Sequence, residues 1–107
     1  MAFEDTLKQM LAAAKAAAGV HWNDVREYMK QELAAAEETA KAIALEVANN
    51  VKTPEQAKIE LESIEVGLRD VQLALTVTAK AAAQDAINAA LDVLRSAVNS
   101  AAKVAIF

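Results

Sequence analysis

The chain has 107 residues, 55% of them hydrophobic, a formal net charge of −4 and no cysteine. Its length suits one domain, and the lack of cysteine excludes disulfides and zinc–thiolate sites. The eleven basic residues are dispersed, so the basic patch that neutralises nucleic-acid phosphates is missing and we expect no nucleic-acid binding.

The N-terminus, Met-Ala-Phe-Glu-Asp, lacks the basic and apolar regions of a secretory signal peptide. No stretch of the chain approaches the roughly 18 uncharged apolar residues that mark a transmembrane helix. We therefore expect a cytoplasmic protein without a transmembrane segment.

Alanine dominates the apolar residues, with 27 copies, whereas only four aromatic residues occur in the chain. Alanine is the best helix former, but its side chain buries little surface. A core built by one small chain from so little bulk is marginal. The composition therefore predicts an all-α protein whose helical bundle is completed by oligomerisation.

A first helix is predicted over about residues 4–18. Phe3, Leu7 and Ala14 recur at helical spacing. Gly19 follows the last periodic residue, where glycine supplies the positive φ angle that commonly ends a helix.

A second helix is predicted over about residues 24–50. Asp24 and Glu27 have the spacing of a capping box at its start. The apolar stripe recurs every three or four residues and ends before Asn49 and Asn50. Its members are Val25, Met29, Leu33, Ala36, Ala40, Ile43 and Val47.

The clearest local signal for a helix start is Thr53-Pro54-Glu55-Gln56. Threonine is a good N-cap, proline suits the first helical position, and Gln56 completes a capping box with Thr53. This signal predicts that a third helix begins at Pro54.

The third helix is predicted to run over about residues 54–104. After Pro54 the chain has no proline and one glycine, Gly67. One stripe of small and apolar residues follows a period of about 3.6 residues throughout. A strict 3.5-residue repeat would instead place Asp85, Asp92 and Lys103 on the stripe, so the period favours one nearly straight helix.

A straight helix over residues 54–104 would be roughly 75 Å long, whereas a compact chain of this size has a radius of gyration near ~13 Å. Either a second copy covers the overhang, or the helix folds back at a weak point. The weak points are Gly67 and the β-branched residues at 76–78, so a break near 76–79 is the alternative.

The two halves of this helix differ in charge. Residues 54–70 carry seven charged side chains, whereas residues 71–107 carry five, most of them on one narrow row. A helix that is apolar on most sides is buried on most sides. We therefore predict a homodimer or tetramer, or association with another helical protein, through an alanine-rich face. The candidate interface residues are Ala79, Ala82, Ala83, Ala86, Ile87, Ala90, Leu91, Leu94, Ala97, Val98 and Ala101.

No group of residues in the sequence has the pattern of a catalytic, cofactor-binding or metal site. His21 is the only histidine and lacks the Glu-x-x-His spacing of a di-iron helical bundle. Glu60, Glu62 and Glu65 look like a solvated charged face, and Arg69 stands at i, i+4 from Glu65 as a pairing partner. We expect no cofactor and no enzymatic activity.

The sequence favours a non-enzymatic structural or protein-interaction module that self-associates through this helical interface. The alternative is an amphipathic helical protein that opens its bundle to coat an apolar or lipid surface. The lack of basic residues flanking the apolar faces counts against the alternative.

Overall fold

The computed structural model describes residues 5–71, 77–104 and 106, and it confirms the predicted all-α class. The described residues contain four α-helices, one short 3₁₀ turn and no strand. The helices are α1 (Thr6–Ala18), α2 (Trp22–Ala48), α3 (Pro54–Val71) and α4 (Val77–Ala102), with the 3₁₀ turn at Gly19–His21.

The four helices form an elongated bundle of 43 × 24 × 18 Å with a radius of gyration of 13.7 Å. Helices α2 and α3 are antiparallel, with Tyr28 of α2 bonded to Leu68 of α3. Helices α3 and α4 are also antiparallel, with Glu65 paired to Arg95. Helix α4 packs mainly on α1 and α2, and among the described residues α1 and α3 do not touch.

The preferred prediction of one continuous helix over residues 54–104 is wrong. Helix α3 ends at Val71, and α4 begins at Val77 and packs back against it. The Glu65 carboxylate lies 2.8 Å from the Arg95 guanidinium, whereas thirty residues of straight helix would separate them by about 45 Å. The chain therefore folds back between α3 and α4, as the alternative prediction stated.

The predicted break near 76–79 falls only partly within the described residues. Positions 77–79 lie in the first turn of α4, and Thr76 lies outside the described residues. The other weak point, Gly67, lies inside α3 and does not interrupt it.

The first connection ends α1 at Gly19, as predicted. Gly19 has φ +60° and ψ −129°, a combination that residues with a Cβ adopt only under strain. Helix α2 then begins at Trp22, two residues before the predicted start, so the capping box of Asp24 and Glu27 is not formed. Asp24 lies instead within the first turn, where its carboxylate complements the helix dipole.

The second connection carries a complete stop signal at the end of α2. Asn50 has φ +60°, and its N–H donates to the carbonyl of Val47 at 3.1 Å. The N–H of Val51 donates to the carbonyl of Glu46 at 2.8 Å. These two bonds form a Schellman motif, which satisfies carbonyls that the end of a helix leaves unpaired.

The predicted start of α3 at Pro54 and its capping box are both confirmed. The Thr53 N–H donates to Gln56 Oε1 at 3.1 Å, and the Gln56 N–H donates to Thr53 Oγ1 at 3.2 Å. Pro54 occupies the first helical position, where no partner for an N–H is needed. The Schellman motif and the capping box, both made by neighbouring residues, therefore separate α2 from α3.

Candidate functional site: the alanine-rich face of the fourth helix

The residues proposed as an oligomer interface lie in the core of the single chain. Eight of them, on one face of α4, are at most 6% exposed. Ala97 and Ala101 are half-buried, and the side chain of Ala79 lies outside the described part of the chain. The eight buried residues are Ala82, Ala83, Ala86, Ile87, Ala90, Leu91, Leu94 and Val98.

The apolar face of α4 is buried within the single chain, so its apolar character does not by itself require a second copy. Met10 of α1 and Val25, Met29 and Leu33 of α2 are fully buried in the same core cluster as the α4 face. One chain therefore covers the alanine-rich face, and self-association itself stays a prediction.

The α4 face combines small and large residues. Ala83, Ala86 and Ala90 are fully buried and place little bulk between neighbouring helix axes. Such positions let helices approach toward the ~8 Å lower limit of interaxial distance. Leu91 and Leu94 supply the larger apolar side chains. The face is therefore shaped for close helix–helix packing rather than for holding a ligand.

An ion pair joins α3 to α4 beside this face. Arg95 donates from Nε to Glu65 Oε1 at 2.8 Å and from Nη2 to Glu65 Oε2 at 2.9 Å. Glu65 is 8% exposed, so it does not lie on a solvated face as predicted. The hydrogen bond with Glu65 raises the pKa of the Arg95 guanidinium, with a smaller contribution from Asp92.

The predicted pairing of Glu65 with Arg69 is present, but it is not the main one. Arg69 Nη1 lies 3.9 Å from Glu65 Oε2, beyond hydrogen-bond distance. Arg69 also lies 3.4 Å from Asn88 Oδ1 across the α3–α4 seam. Sequence reasoning missed the role of Arg95 because spacing along one helix reports only neighbours within that helix.

Tyr28 joins α2 to the C-terminal end of α3. Its hydroxyl donates to the backbone carbonyl of Leu68, in the last turn of α3, at 3.2 Å. Partial burial raises the pKa of the Tyr28 hydroxyl, and the nearby Glu32 carboxylate raises it further.

Lys52 joins the two helices at the α2–α3 connection. Its ammonium lies 3.2 Å from the Glu46 carboxylate and also binds the Glu60 carboxylate. The hydrogen bond to Glu60 is the main reason that the pKa of Lys52 is raised. Glu60 is therefore a structural ion-pair partner.

The titratable residues considered for catalysis are separated in the fold. His21 Nδ1 lies 3.4 Å from Asp24 Oδ2, and both side chains are largely exposed. Glu60 is paired with Lys52 and Glu65 with Arg95. The described residues contain no group of three or more histidine or acidic side chains placed to hold a metal ion. The polar groups that are well positioned connect helices to each other.

An open groove of about 260 Å³ runs between α2 and α3. Gly67 lies at its edge, and a Cβ built there would meet no atom within 4 Å. Helix α3 is therefore loosely packed along this seam. The lining residues are Glu32, Ala35, Ala36, Thr39, Ile64, Gly67 and Leu68.

No family model, no curated protein and no solved structure matches this chain. None of the helices in the described residues is both long and apolar enough to cross a membrane.

Proposed function

We propose that this chain is a non-enzymatic structural or protein-interaction module that self-associates through the alanine-rich face of α4. The observation that carries the proposal is the composition of that face, which consists of buried alanine and larger aliphatic side chains suited to close helix packing. The strongest polar interactions, Arg95 with Glu65 and Lys52 with Glu60, likewise join helix to helix.

Because α1 and α2 of the same chain cover the α4 face, association through it needs a second copy that supplies or receives an α4 helix. An interface of this kind would use the same side-chain packing that already stabilises the monomer. It would require no additional exposed apolar patch.

Solution mass tests the proposal directly. The protein is refolded from urea at protein concentrations from low micromolar to millimolar, and its mass is measured by light scattering after size exclusion. We expect a species of twice the monomer mass whose fraction grows with the refolding concentration. Only monomer at every concentration would contradict the proposal.

The alternative function, coating of an apolar or lipid surface, is supported by the outer face of α3. Ile59 and Val66 are 67% and 55% exposed, and seven residues apart they lie on one helix face. Flotation with phosphatidylcholine vesicles tests it. Co-flotation that is lost in the Ile59→Ser, Val66→Ser variant supports coating, and protein left at the bottom of the gradient excludes it.

A further inference from the structure

The groove between α2 and α3 is a surface opening that the chain does not fill itself. Its volume is about 260 Å³. On the α3 side, a Cβ atom at Gly67 would meet nothing within 4 Å. On the α2 side, the groove is lined by the small residues Ala35 and Thr39. Walls made of small side chains let a further helix approach closely.

The α2–α3 groove carries a negative charge. Glu32 is the one charged side chain among the described residues that line it. Glu38 lies exposed on the same helix, less than two turns further on. The hydroxyl of Thr39 already donates to the carbonyl of Ala35 at 3.1 Å. The groove therefore suits a helix that presents small residues and positive charge.

The outer face of α1 has this composition. Helix α1 contains two lysines and no acidic residue. Lys8 and Lys15 are seven residues apart, so they lie on one face of the helix, about 10 Å from each other. Ala12 lies between them, and all three residues are exposed. The face therefore places a small side chain between two positive charges.

The outer face of α1 and the α2–α3 groove are both free of ion pairs within the chain. In the part of the chain that the structure describes, no ion pair involves Lys8, Lys15 or Glu32. Helices α2 and α4 touch each other, and both touch α1 and α3, which do not touch each other among the described residues. Helix α1 therefore lies on the opposite side of the α2–α4 pair from α3, away from the groove of its own chain.

From these observations we infer that the α2–α3 groove of one copy binds the outer face of α1 of a second copy, with Lys8 and Lys15 beside Glu32 and Glu38. Both surfaces are exposed in the folded chain, so docking leaves every helix packed as it is. The two surfaces differ, and they lie on different sides of the bundle. The contact is therefore head-to-tail and adds copies in series.

This contact goes beyond the proposed function, which uses the buried face of α4, and it does not depend on it. The folded protein, never exposed to urea, is studied by sedimentation velocity from low micromolar to millimolar concentration. We expect the average mass to rise with concentration beyond that of a dimer. High salt should return it toward the monomer mass, because exposed charge pairs are screened.

Filling the groove tests its role. Gly67→Leu places a side chain in the open space at this position, and leucine is a better helix former than glycine. We expect the dissociation constant to rise about tenfold or more, because the new side chain occupies the space that the docked helix needs. The matched control is Ala81→Leu on the exposed side of α4, which should leave association unchanged.

A charge exchange tests the identity of the docked helix. Glu32→Lys in one protein, and Lys8→Glu with Lys15→Glu in another, each set like charges against each other, so we expect each alone to associate about tenfold more weakly. An equal mixture should associate as the wild type does, because each variant presents the surface that complements the other. Lys30→Glu with Lys41→Glu makes the same change in net charge outside the groove and should keep wild-type association.

The outcomes separate docking from association through α4. Folded protein that stays monomeric at every concentration would overturn docking, whereas a dimer formed only by refolding would support the proposed function alone. Association that Gly67→Leu and the charge variants leave unchanged would also overturn docking, because the copies would then meet elsewhere. Circular dichroism checks the helicity of each variant. If Gly67→Leu loses helicity, the charge variants decide, since they alter no buried side chain.

Discussion

Glu65 and Arg95, thirty residues apart in the chain, form a two-pronged ion pair across the seam between α3 and α4. The Glu65 side chain is 11% exposed and the Arg95 side chain 36%. The carboxylate therefore depends on the guanidinium more than the reverse, because a buried charge without a partner is costly whereas an exposed one is solvated by water.

The burial of Glu65 predicts that removing Arg95 alone destabilises the chain more than removing both charges. Arg95→Met leaves the Glu65 carboxylate buried without its main partner, so we expect a loss of about 1–3 kcal/mol in the free energy of unfolding. The double variant Glu65→Leu, Arg95→Met removes both charges and should recover much of that loss. Urea unfolding followed by circular dichroism measures both. Equal losses in the single and double variants would contradict the argument.

The two glycines should respond in opposite directions to alanine. Gly67 lies inside α3 with open space at its Cβ position, so Gly67→Ala should raise the free energy of unfolding by up to about 1 kcal/mol through helix propensity. Gly19 has equal space but φ +60°, so Gly19→Ala should destabilise by about 1 kcal/mol or more through backbone strain. Thermal unfolding of the two variants side by side gives the comparison, and matching signs would refute it.

The capping box at the start of α3 predicts a local stability effect. Thr53→Ala removes the hydroxyl that accepts from the Gln56 N–H, and we expect a loss of about 1 kcal/mol. The matched control is Thr39→Ala in α2, because the Thr39 hydroxyl only donates back to the carbonyl of Ala35 within the helix. That change should be neutral or slightly stabilising. Chemical denaturation of both variants distinguishes a cap from an ordinary threonine.

The sequence predicts interactions between residues close in the chain and misses those between distant residues. The capping box of Thr53 and Gln56 joins residues three apart, so the sequence displayed it directly. The Glu65–Arg95 pair joins residues thirty apart, and no spacing rule within one helix could find it.

The sequence favours one continuous helix and gives the reversal between α3 and α4 only as the alternative, for a different reason. Periodicity reports which face of a helix is buried, and it does not report whether the helix axis continues. Leu68 and Ala86 are in phase, yet they belong to two antiparallel helices that face one core.

Tyr28 makes stability depend on alkaline pH. Burial raises the pKa of its hydroxyl above the ordinary value of 10.0. At a pH between the unfolded-state and the folded-state pKa, the folded chain therefore holds a proton that the unfolded chain has released. Its contribution is complete below about pH 10 and is lost as pH rises through the folded-state pKa. We expect the free energy of unfolding to fall above pH 10 more steeply in wild type than in Tyr28→Phe.

Tyr28 is the only tyrosine in the chain, so phenolate absorbance follows its titration without overlap from another phenol. Urea unfolding at several pH values from 8 to about 11, with Tyr28→Phe as the reference for lysine titration, isolates its contribution. Parallel curves for the two proteins would show that the hydroxyl keeps its ordinary pKa.

The close packing of α4 predicts that size, not only charge, is restricted on its buried face. Ala90 is 0% exposed, so Ala90→Leu forces extra bulk into a filled core and should cost about 1–3 kcal/mol of the free energy of unfolding. Ala81 lies on the exposed side of the same helix, and Ala81→Leu should change stability by less than about 0.5 kcal/mol.

A charged substitution at position 90 cannot by itself reveal an interface. Ala90→Glu would bury an unpaired carboxylate in the core of the single chain, so a loss of association could not be told from a loss of folding. Ala90→Leu and Ala81→Leu are therefore compared by urea unfolding and by solution mass together. If a second copy supplies an α4 helix through the same buried face, Ala90→Leu lowers the stability of monomer and dimer by similar amounts, and Ala81→Leu leaves both unchanged. A dimer that disappears in Ala81→Leu would instead place the interface on the outer side of α4.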